Sequence, residues 1–371
     1  MEDHEKMKDF GMQVQKLIEG KSLSKDETYK MFREILLNEQ PDLQQGAFLA
    51  ALAAKGETVD EIAGAWAAID EIDTVHCAPD LPEVLFENSG TGMDALKTFN
   101  VSSAAAIVAA AWGITMVRHG ARAITSSCGT VDVLEAVGID VECDVRVVEN
   151  SVRRAGIGLF NGMSPKVHPK ALSRILGQIR FGSTLHIAAS LANPCRPTLG
   201  LRGVYRESLV RKAASVMQSI GYERGMVVYG KDKKSGFGMD ELSVSGGTIV
   251  HEFTRHTHKE YTLHPEDAGL KETPFDEIAS LGDPAREAVR FLHVLSGKKH
   301  KACIDFTCLN AGAILYTAGK CDSIKKGVEM SRESIESNSA IEKLRQWVTC
   351  QDATEGKGLQ RFELLLKKSA A

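Results

Sequence analysis

One apolar run limits the folds that this chain can adopt. Residues 101–117, VSSAAAIVAAAWGITMV, contain no charged side chain. A transmembrane helix needs about 20 predominantly apolar residues, and alanine favours membrane insertion only weakly. Ser102, Ser103 and Gly113 make the run still less suitable as a membrane span. We therefore expect a helix that is buried against a sheet, and we do not expect a membrane as a partner.

Chain length and composition indicate an ordinary globular protein. The chain has 371 residues, of which 43% are hydrophobic and 25% are charged. This length predicts two domains or one large α/β unit. The formal net charge of −4 provides no overall attraction for nucleic acid, so we do not expect a nucleic acid as a partner. The first residues, MEDHEKMKDF, lack the apolar segment of a signal peptide.

Cysteine usage is typical of a reducing compartment. The chain has eight cysteines, and no two of them have the spacing of a CxxC motif. A chain of this length does not depend on disulfide bonds to hold its core together. We therefore expect reduced, mostly buried thiols and a cytoplasmic protein.

Residues 1–80 are expected to form a small helical domain. Apolar residues in this segment recur at spacings of three and four, which is the pattern of amphipathic helices. Ser24 and Thr58 are expected N-caps, and Glu61 should complete a capping box with Thr58. At Ser24 we expect no full capping box, because Thr28 breaks the pattern of such a box.

Residues 81–371 are expected to form a larger α/β domain. Short apolar runs alternate with helical stretches, which predicts a mostly parallel central sheet that is covered by helices. A further helical stretch at about residues 168–192 is expected to return to the helical domain. The expected strands are ITMVR (114–118), VRVVE (145–149), IGLF (157–160), GMVVYG (225–230) and GTIVHEF (247–253).

A glycine-rich turn leads into the apolar run. The strand candidate EVLFENS (83–89) is followed by GTGMD (90–94), whose glycines let backbone N–H groups approach an anion closely. The helix start NVSS (100–103) then offers free amides and hydroxyls. Either piece alone is more often structural. Together they resemble a phosphate cradle, with the apolar helix as its buried support.

Two further segments carry charge. RHGAR (118–122) follows a predicted strand, where its guanidinium and imidazole groups are well placed for a ligand. Asp240 and Glu241 are adjacent acids in a glycine-rich loop, and Mg²⁺ binds one or two carboxylates together with phosphate oxygens of a substrate. Taken alone, each segment is also explained as a solvated turn.

In combination, these segments resemble the anthranilate phosphoribosyltransferase family. GTGMDALKTFNVSS, RHGARAITSSCGTVDVLEAVG and GMDELS occur in the family's order and spacing. The resemblance continues from LIEGKSLSKDETYKMFREIL to LNAGAILYTAGKCDSIKKGVEMSRESIESNSA, so it covers most of the chain. Pyrimidine nucleoside phosphorylases share the same fold group. The resemblance implies a cleft between the two domains and a homodimer through the N-terminal helices.

The resemblance also implies the reaction and its residues. The donor would be 5-phosphoribosyl-1-pyrophosphate (PRPP), the acceptor a small aromatic compound and the cofactor Mg²⁺, held by Ser102, Asp240 and Glu241. His119 and Arg118 would act in catalysis, with His119 orienting the acceptor. Either Arg174 or Arg180 would bind the acceptor's carboxylate. The full set expected to bind the substrates is Gly90, Thr91, Gly92, Asp94, Thr98, Asn100, Ser102, Ser103, Arg118, Gly120, Ala121, Ser127, Cys128, Arg174 and Arg180.

Departures from the family pattern concentrate on the acceptor side. Ala121 replaces an asparagine that faces the acceptor, and Ser127-Cys128 replaces a lysine–serine pair; in the donor half, Met93 replaces a glycine and Arg118 a lysine. We therefore expect transfer to anthranilate or to a different aromatic acceptor, with weak turnover of anthranilate itself. The alternatives are a nucleoside phosphorylase-like enzyme, which ASLANP (189–194) suggests, and a catalytically silent relative that binds nucleic acid.

Overall fold

Helices and one large sheet make up the part of the chain that the structure describes. A computed structural model describes residues 2–81, 83–122, 128–179 and 181–370. The helices in these residues are α1 (Glu2–Ile18), α2 (Lys25–Leu36), α3 (Asp42–Lys55), α4 (Val59–Asp73), α5 (Val101–Ala111), α6 (Thr130–Val137), α7 (Val145–Ala155), α8 (Leu172–Gln178), α9 (Thr184–Leu191), α10 (Val210–Ser219), α11 (Pro284–Leu295), α12 (Lys301–Thr317), α13 (Ile324–Glu336), α14 (Ser339–Cys350) and α15 (Lys357–Ala370). The strands are β1 (Leu85–Gly90), β2 (Thr115–Gly120), β3 (Ile157–Asn161), β4 (Leu199–Gly203), β5 (Arg224–Lys231), β6 (Gly238–Met239), β7 (Thr248–Thr254) and β8 (His258–Leu263).

The sheet is parallel on one side and antiparallel on the other. Its strand order is β3-β2-β1-β4-β5-β7-β8, and β6 pairs with β5. Strands β1 to β5 are parallel to one another, whereas β6, β7 and β8 join through antiparallel pairs. Parallel neighbours need crossover connections, which here are helices that cover the sheet. The predicted fold class, a small N-terminal helical domain with a larger α/β domain and a mostly parallel sheet, is confirmed.

The apolar run forms the buried helix α5 and the first half of strand β2. Every residue of α5 from Val101 to Ala110 except Ser102 is buried. The small alanine side chains allow α12 to pack closely along α5. The expectation of a buried helix is therefore confirmed. Among the described residues, no helix combines the length and the hydropathy that crossing a membrane requires.

Helices α1 to α4 form a layer that α8, α9 and α10 join in one hydrophobic cluster. Asp73, at the end of α4, accepts hydrogen bonds from the backbone N–H groups of residues 170–172 at 2.5–3.0 Å. The Trp66 indole N–H donates to the Leu191 carbonyl at 3.0 Å. These contacts place α8 and α9 against the helical layer. The division of the chain between residues 80 and 81 stays a prediction.

Both expected N-caps begin helices. Ser24 caps α2 and Thr58 caps α4, and each forms a full capping box with the glutamate three residues later. The expectation that Ser24 lacks a full box is wrong. The reciprocal partner is Glu27, the third residue after the cap, and Thr28 lies one position beyond it.

Residues 145–149 begin helix α7, so the strand predicted there is wrong. Val145, Val148 and Val152 are buried at spacings of three and four, and Asp144 is the N-cap. The pentapeptide VRVVE fits both strand and helix patterns, and only the longer period that extends to Val152 separates them. The other four expected strands coincide with β2, β3, β5 and β7.

Candidate active site

A cavity of about 250 Å³ opens where strands β1 and β2 end. Gly90 and Gly120 are the last residues of these parallel strands, so their following turns meet at one edge of the sheet, which is the usual ligand position in α/β folds. Helices α8 and α9 contribute side chains to the cavity wall. The sequence-predicted residues that line it are Gly90, Thr91, Gly92, Asp94, Thr98, Asn100, Ser102, Arg118, His119, Gly120, Ala121, Cys128, Asp240 and Glu241.

The glycine-rich turn after β1 packs directly against Asp240. The Gly92 N–H donates to Asp240 Oδ2 with an N···O distance of 2.7 Å. A Cβ atom at Gly90 would lie 2.1 Å from the same oxygen, and one at Gly203 would lie 1.5 Å from the Asp240 carbonyl oxygen. A side chain at Gly203 would clash with backbone, so this position requires glycine, whereas one at Gly90 would push the Asp240 carboxylate away from its place.

Two consecutive residues of this turn have left-handed backbone conformations. Gly92 and Met93 each have φ of 67°. Glycine adopts this conformation without steric penalty, whereas an ordinary L-residue loses about 1–2 kcal/mol there. The methionine in place of the family's glycine therefore strains the turn that borders the cavity.

Three carboxylates meet beside the turn. Asp94, Asp240 and Glu241 each place an oxygen within 4.8 Å of the others. Burial and the nearby Asp240 charge raise the pKa of Asp94 to about 7, although Lys97 Nζ lies 2.8 Å from its Oδ1. Burial also raises the pKa of Asp240 and of Glu241 above their ordinary values. Such crowded acids favour a bound cation, which relieves their repulsion.

The donor set of this cluster fits Mg²⁺. Glu241 Oε2 is buried and has no hydrogen-bond partner among the described residues, while Oε1 is 3.5 Å from the Thr98 hydroxyl. Carboxylate and hydroxyl oxygens are ligands that hard divalent cations prefer. Ser102, the third predicted metal ligand, lines the same cavity. Asp94 was predicted to bind pyrophosphate, and its place beside Asp240 adds it to the candidate metal ligands.

Arg118 is a buried cation that lacks a carboxylate partner. Its guanidinium donates to Asn88 Oδ1 at 3.2 Å and to Ser103 Oγ at 2.6 Å, and no described carboxylate lies within 4.0 Å. Burial lowers the pKa of Arg118 to about 10, so the side chain stays charged at neutral pH. A buried charge of this kind is expensive unless an anion neutralises it. Arg118 is therefore well suited to bind a phosphate.

Ser103 has a different place from the one predicted. It was expected to bind substrate, but its side chain is fully buried and its hydroxyl accepts from Arg118. Because α5 has 3.6 residues per turn, Ser102 faces the cavity while its neighbour faces the core. The sequence did not indicate Asn88, which holds the other side of the guanidinium and donates to the Ser102 carbonyl at 2.8 Å.

His119 is paired with a second histidine. Its Nε2 lies 2.9 Å from Nε2 of His168, whose Nδ1 lies 2.7 Å from the Asp73 carbonyl oxygen. Burial lowers the pKa of both imidazoles, and His168 lowers the pKa of His119 further. His119 is therefore a neutral group in the cavity wall. His168 was not predicted, because its partners lie at the end of α4 and in β2.

The wall opposite the glycine-rich turn is mainly apolar. Met163, Leu176 and Ala189 line it, together with His186. His186 Nδ1 accepts from the Ser183 N–H at 3.2 Å, and its buried Nε2 has no partner among the described residues. These residues were not predicted as site residues, since their sequence pattern is that of ordinary helix residues.

Arg174 does not belong to the cavity. Its guanidinium donates to the Ile35 carbonyl at 3.0 Å and to Gln45 Oε1 at 3.3 Å, so it joins α8 to the helical layer. The prediction that Arg174 binds the acceptor is therefore not supported by its position. Arg180 and Ser127, the other predicted substrate-binding residues, lie outside the described residues.

Comparison with known proteins identifies the family. Residues 83–341 match the family described as "Glycosyl transferase family, a/b domain", and residues 14–71 match its "helical bundle domain". An anthranilate phosphoribosyltransferase from Anaeromyxobacter dehalogenans is 37% identical over 338 residues, which cover 90% of this chain and 96% of that protein. This chain belongs to the anthranilate phosphoribosyltransferase family. It is therefore a phosphoribosyltransferase, as the motifs implied.

Other members of the family also match this chain along most of its length. The anthranilate phosphoribosyltransferase of Desulfotalea psychrophila is 34% identical, with 90% of this chain and 95% of that protein covered. The structure of the Thermus thermophilus enzyme has a TM-score of 0.81 and 31% identity, and covers 91% of this chain and 98% of its own. The Saccharomyces cerevisiae enzyme "in complex with PRPP and Mg" has a TM-score of 0.79 and 25% identity, covering 92% and 97%.

Proposed function

We propose that this protein transfers the 5-phosphoribosyl group of PRPP to anthranilate, releases pyrophosphate and uses Mg²⁺ as its cofactor. The observation that carries the proposal is the presence, in one cavity, of an oxygen-rich acidic cluster and a buried arginine that has no carboxylate partner among the described residues. The yeast relative's complex with PRPP and Mg supports the same donor and metal. The names of the curated relatives support anthranilate as the acceptor.

The donor half of the cavity suits a pyrophosphate. Helix α5 has no side-chain N-cap hydrogen bond, so N–H groups of its first turn could donate to an anion in the cavity, and Arg118 adds a full positive charge. Displacement at the anomeric carbon leaves negative charge growing on the pyrophosphate, so fixed donors stabilise the transition state more than the ground state. When bound, Mg²⁺ screens this developing charge.

Asp94, Asp240 and Glu241 would hold the metal, with Ser102 as a further oxygen ligand. The three acids lie at the end of the turn that faces the pyrophosphate, so the metal and the donor would share one site. Their raised pKa values show that the cluster is unfavourable when fully ionised without a cation. A bound cation would relieve this repulsion, so the cluster would be more favourable in the metal-bound protein than in the metal-free protein.

The acceptor half suits a small aromatic amine. Met163, Leu176 and Ala189 provide an apolar surface for a ring, and the buried His119 and His186 provide uncharged hydrogen-bonding groups. An amine nucleophile needs orientation more than acid–base assistance. Ala121 provides no amide, so weak turnover of anthranilate stays a prediction.

A phosphorylase-like reaction is the alternative enzyme function. It would use inorganic phosphate in place of a pyrophosphorylated donor, and its support is limited to the segment ASLANP. The acidic cluster favours the Mg²⁺-dependent donor, because Mg²⁺ is commonly held by one or two carboxylates and the phosphates of a substrate.

The geometry gives little support to nucleic-acid binding. Arg118 is 1% exposed, so it cannot contact a phosphate backbone at the surface. Arg122 lies within 3.2 Å of the carboxylates of residues 132, 135 and 142, and Arg153 pairs with Glu149 at 2.6 Å. A basic groove for nucleic acid would be built from Arg118, Arg122, Arg153 and Arg154, and these partners neutralise the charge of Arg122 and Arg153.

We further propose a cytoplasmic homodimer that forms through the N-terminal helices. Met12 and Ile18 on α1 and Leu43 on α3 are large apolar side chains that are exposed in the single chain. A dimer through these helices would cover apolar side chains that are otherwise exposed to water. Light scattering at micromolar concentration tests the dimer, and a monomeric mass would contradict it. Fractionation of the source cells tests the location.

The proposed donor is tested by calorimetric titration of PRPP into the protein with and without MgCl₂. Binding only in the presence of Mg²⁺ is expected. A parallel incubation with pyrimidine nucleosides and inorganic phosphate tests the phosphorylase alternative. Release of free base in that incubation, without PRPP binding, would overturn the proposed function.

A further inference from the structure

Cys77 and Cys195 lie side by side although 118 positions separate them in the chain. Cys77 belongs to the connection between α4 and β1, and Cys195 to the turn between α9 and β4. Their Sγ atoms are 2.8 Å apart. The Cys77 N–H also donates to the Pro194 carbonyl at 3.1 Å, so a backbone hydrogen bond holds the two segments together.

The two thiols differ in access. Cys195 is buried at 7% exposure, whereas Cys77 is half-buried, and both border a surface pocket with His76 and Arg196. The contact with Cys77 and burial both raise the pKa of Cys195 well above that of an ordinary thiol. Cys195 is therefore protonated at neutral pH, and an oxidant from solvent reaches Cys77 first.

We propose that Cys77 and Cys195 form a reversible redox pair that hydrogen peroxide converts to a disulfide bond. The Cys77 thiolate attacks one peroxide oxygen, the O–O bond breaks, and the released hydroxide takes up a proton to give water. The Cys195 sulfur then attacks the Cys77 sulfenic acid, and its proton leaves with the sulfenic hydroxyl as a second water. Two thiols lose two electrons, and one peroxide becomes two waters.

The fold makes the second step easy. A disulfide bond is about 2.05 Å long, so the two sulfurs need to approach by less than about 1 Å. Because the backbone segments are already hydrogen-bonded to each other, this movement needs only small side-chain rotations. A nearby thiol also traps the sulfenic acid before further oxidation.

The disulfide would join the α4–β1 connection to the turn that anchors two strands of the site. Asn193, in the same turn as Cys195, donates through Nδ2 to Glu87 on β1 at 3.0 Å and to the Val117 carbonyl on β2 at 2.9 Å. A cross-link over so long a stretch of chain reduces the entropy of the unfolded state. The oxidised protein should therefore resist denaturant better than the reduced protein.

The experiment treats the reduced full-length protein with an equimolar amount of hydrogen peroxide. Alkylation, proteolysis and mass spectrometry then identify the cysteines that remain free, and guanidinium titration measures the unfolding midpoint. We expect one cross-linked peptide that contains Cys77 and Cys195, a higher midpoint, and reversal of both by dithiothreitol. The proposal is overturned if both cysteines are still free to be alkylated after peroxide treatment, if Cys77 is oxidised to sulfinic acid, or if the cross-link leaves the unfolding midpoint unchanged.

Two variants make the test specific. Cys77→Ser changes the half-buried member of the pair, and it should abolish both the cross-link and the peroxide-induced rise in midpoint. Cys321→Ser is the matched control, because Cys321 is also half-buried but its sulfur contacts the Ser323 carbonyl instead of another thiol. The control should respond to peroxide as the wild type does. A peroxide-induced rise in midpoint in Cys77→Ser would contradict the pair as its source.

Discussion

Replacing Gly90 by alanine should weaken Mg²⁺-dependent donor binding while the fold is retained. The added Cβ would lie 2.1 Å from Asp240 Oδ2 and 2.3 Å from its Cγ, so the carboxylate must move. It then loses the 2.7 Å hydrogen bond from the Gly92 N–H and its position beside Asp94 and Glu241. A hydrogen bond to a charged group contributes about 1.5–3 kcal/mol. At about 1.4 kcal/mol per tenfold, PRPP should bind about 10- to 150-fold more weakly.

Calorimetric titration of PRPP in MgCl₂ measures this loss. Gly46→Ala is the matched control, since Gly46 lies in α3 and a Cβ there would meet nothing within 4 Å. The control should keep its PRPP affinity and gain up to about 1 kcal/mol in unfolding free energy, because alanine is the better helix residue. Circular dichroism confirms that each variant folds. Wild-type PRPP affinity in Gly90→Ala would refute the placement of Asp240 in the donor site.

Three further perturbations test other parts of the site. Glu241→Gln should remove the stabilisation that Mg²⁺ and PRPP give, which is about 2.7 kcal/mol at a hundredfold excess over Kd. It should not destabilise the free protein, because burial raises the pKa of Glu241. Urea unfolding with and without both ligands measures the difference, and stabilisation equal to that of the wild type would contradict the prediction. Burial lowers the pKa of His186, so its contribution is complete above the unfolded-state pKa of about 6.5 and is lost as the pH falls. From about pH 7.5 to about pH 5.5 the wild type should lose up to about 1.4 kcal/mol more unfolding free energy than His186→Gln, and equal losses would contradict the neutral buried imidazole. Ala121→Asn should raise kcat/KM for anthranilate about fivefold, by adding a hydrogen bond of about 1 kcal/mol, and an unchanged value would show that residue 121 does not limit acceptor choice.

The continuous parts of the site could be predicted from the sequence. The turn of residues 90–94 and the start of α5 are local motifs, since glycine spacing marks where a tight turn can form and helix-start residues mark where a helix begins. The buried helix was predictable for a similar reason, because a run with alanine and without charge has no other favourable environment. These features depend on residues that are neighbours in the chain.

The parts that depend on distant segments could not be predicted. Asp94 joins Asp240 because glycines in β1 and β4 let the loop after β6 approach the turn. His168 and His186 reach the cavity because α8 and α9 pack on the helical layer. Arg174 was proposed through the family resemblance as one of two candidates for the acceptor's carboxylate, and its hydrogen bonds to the Ile35 carbonyl and to Gln45 depend in the same way on how α8 packs. Nothing in the local sequence distinguishes the residues that reach the cavity from those that do not.

The most direct measurement of the central claim is the product balance of a single incubation. The protein is mixed with PRPP, anthranilate and MgCl₂, and chromatography with mass spectrometry quantifies the products. The proposed function predicts one phosphoribosylated anthranilate and one pyrophosphate for each PRPP consumed, with neither formed after a chelator removes Mg²⁺. Persistence of intact PRPP and free anthranilate at saturating concentrations of both, in a sample shown by calorimetry to bind PRPP, would contradict it.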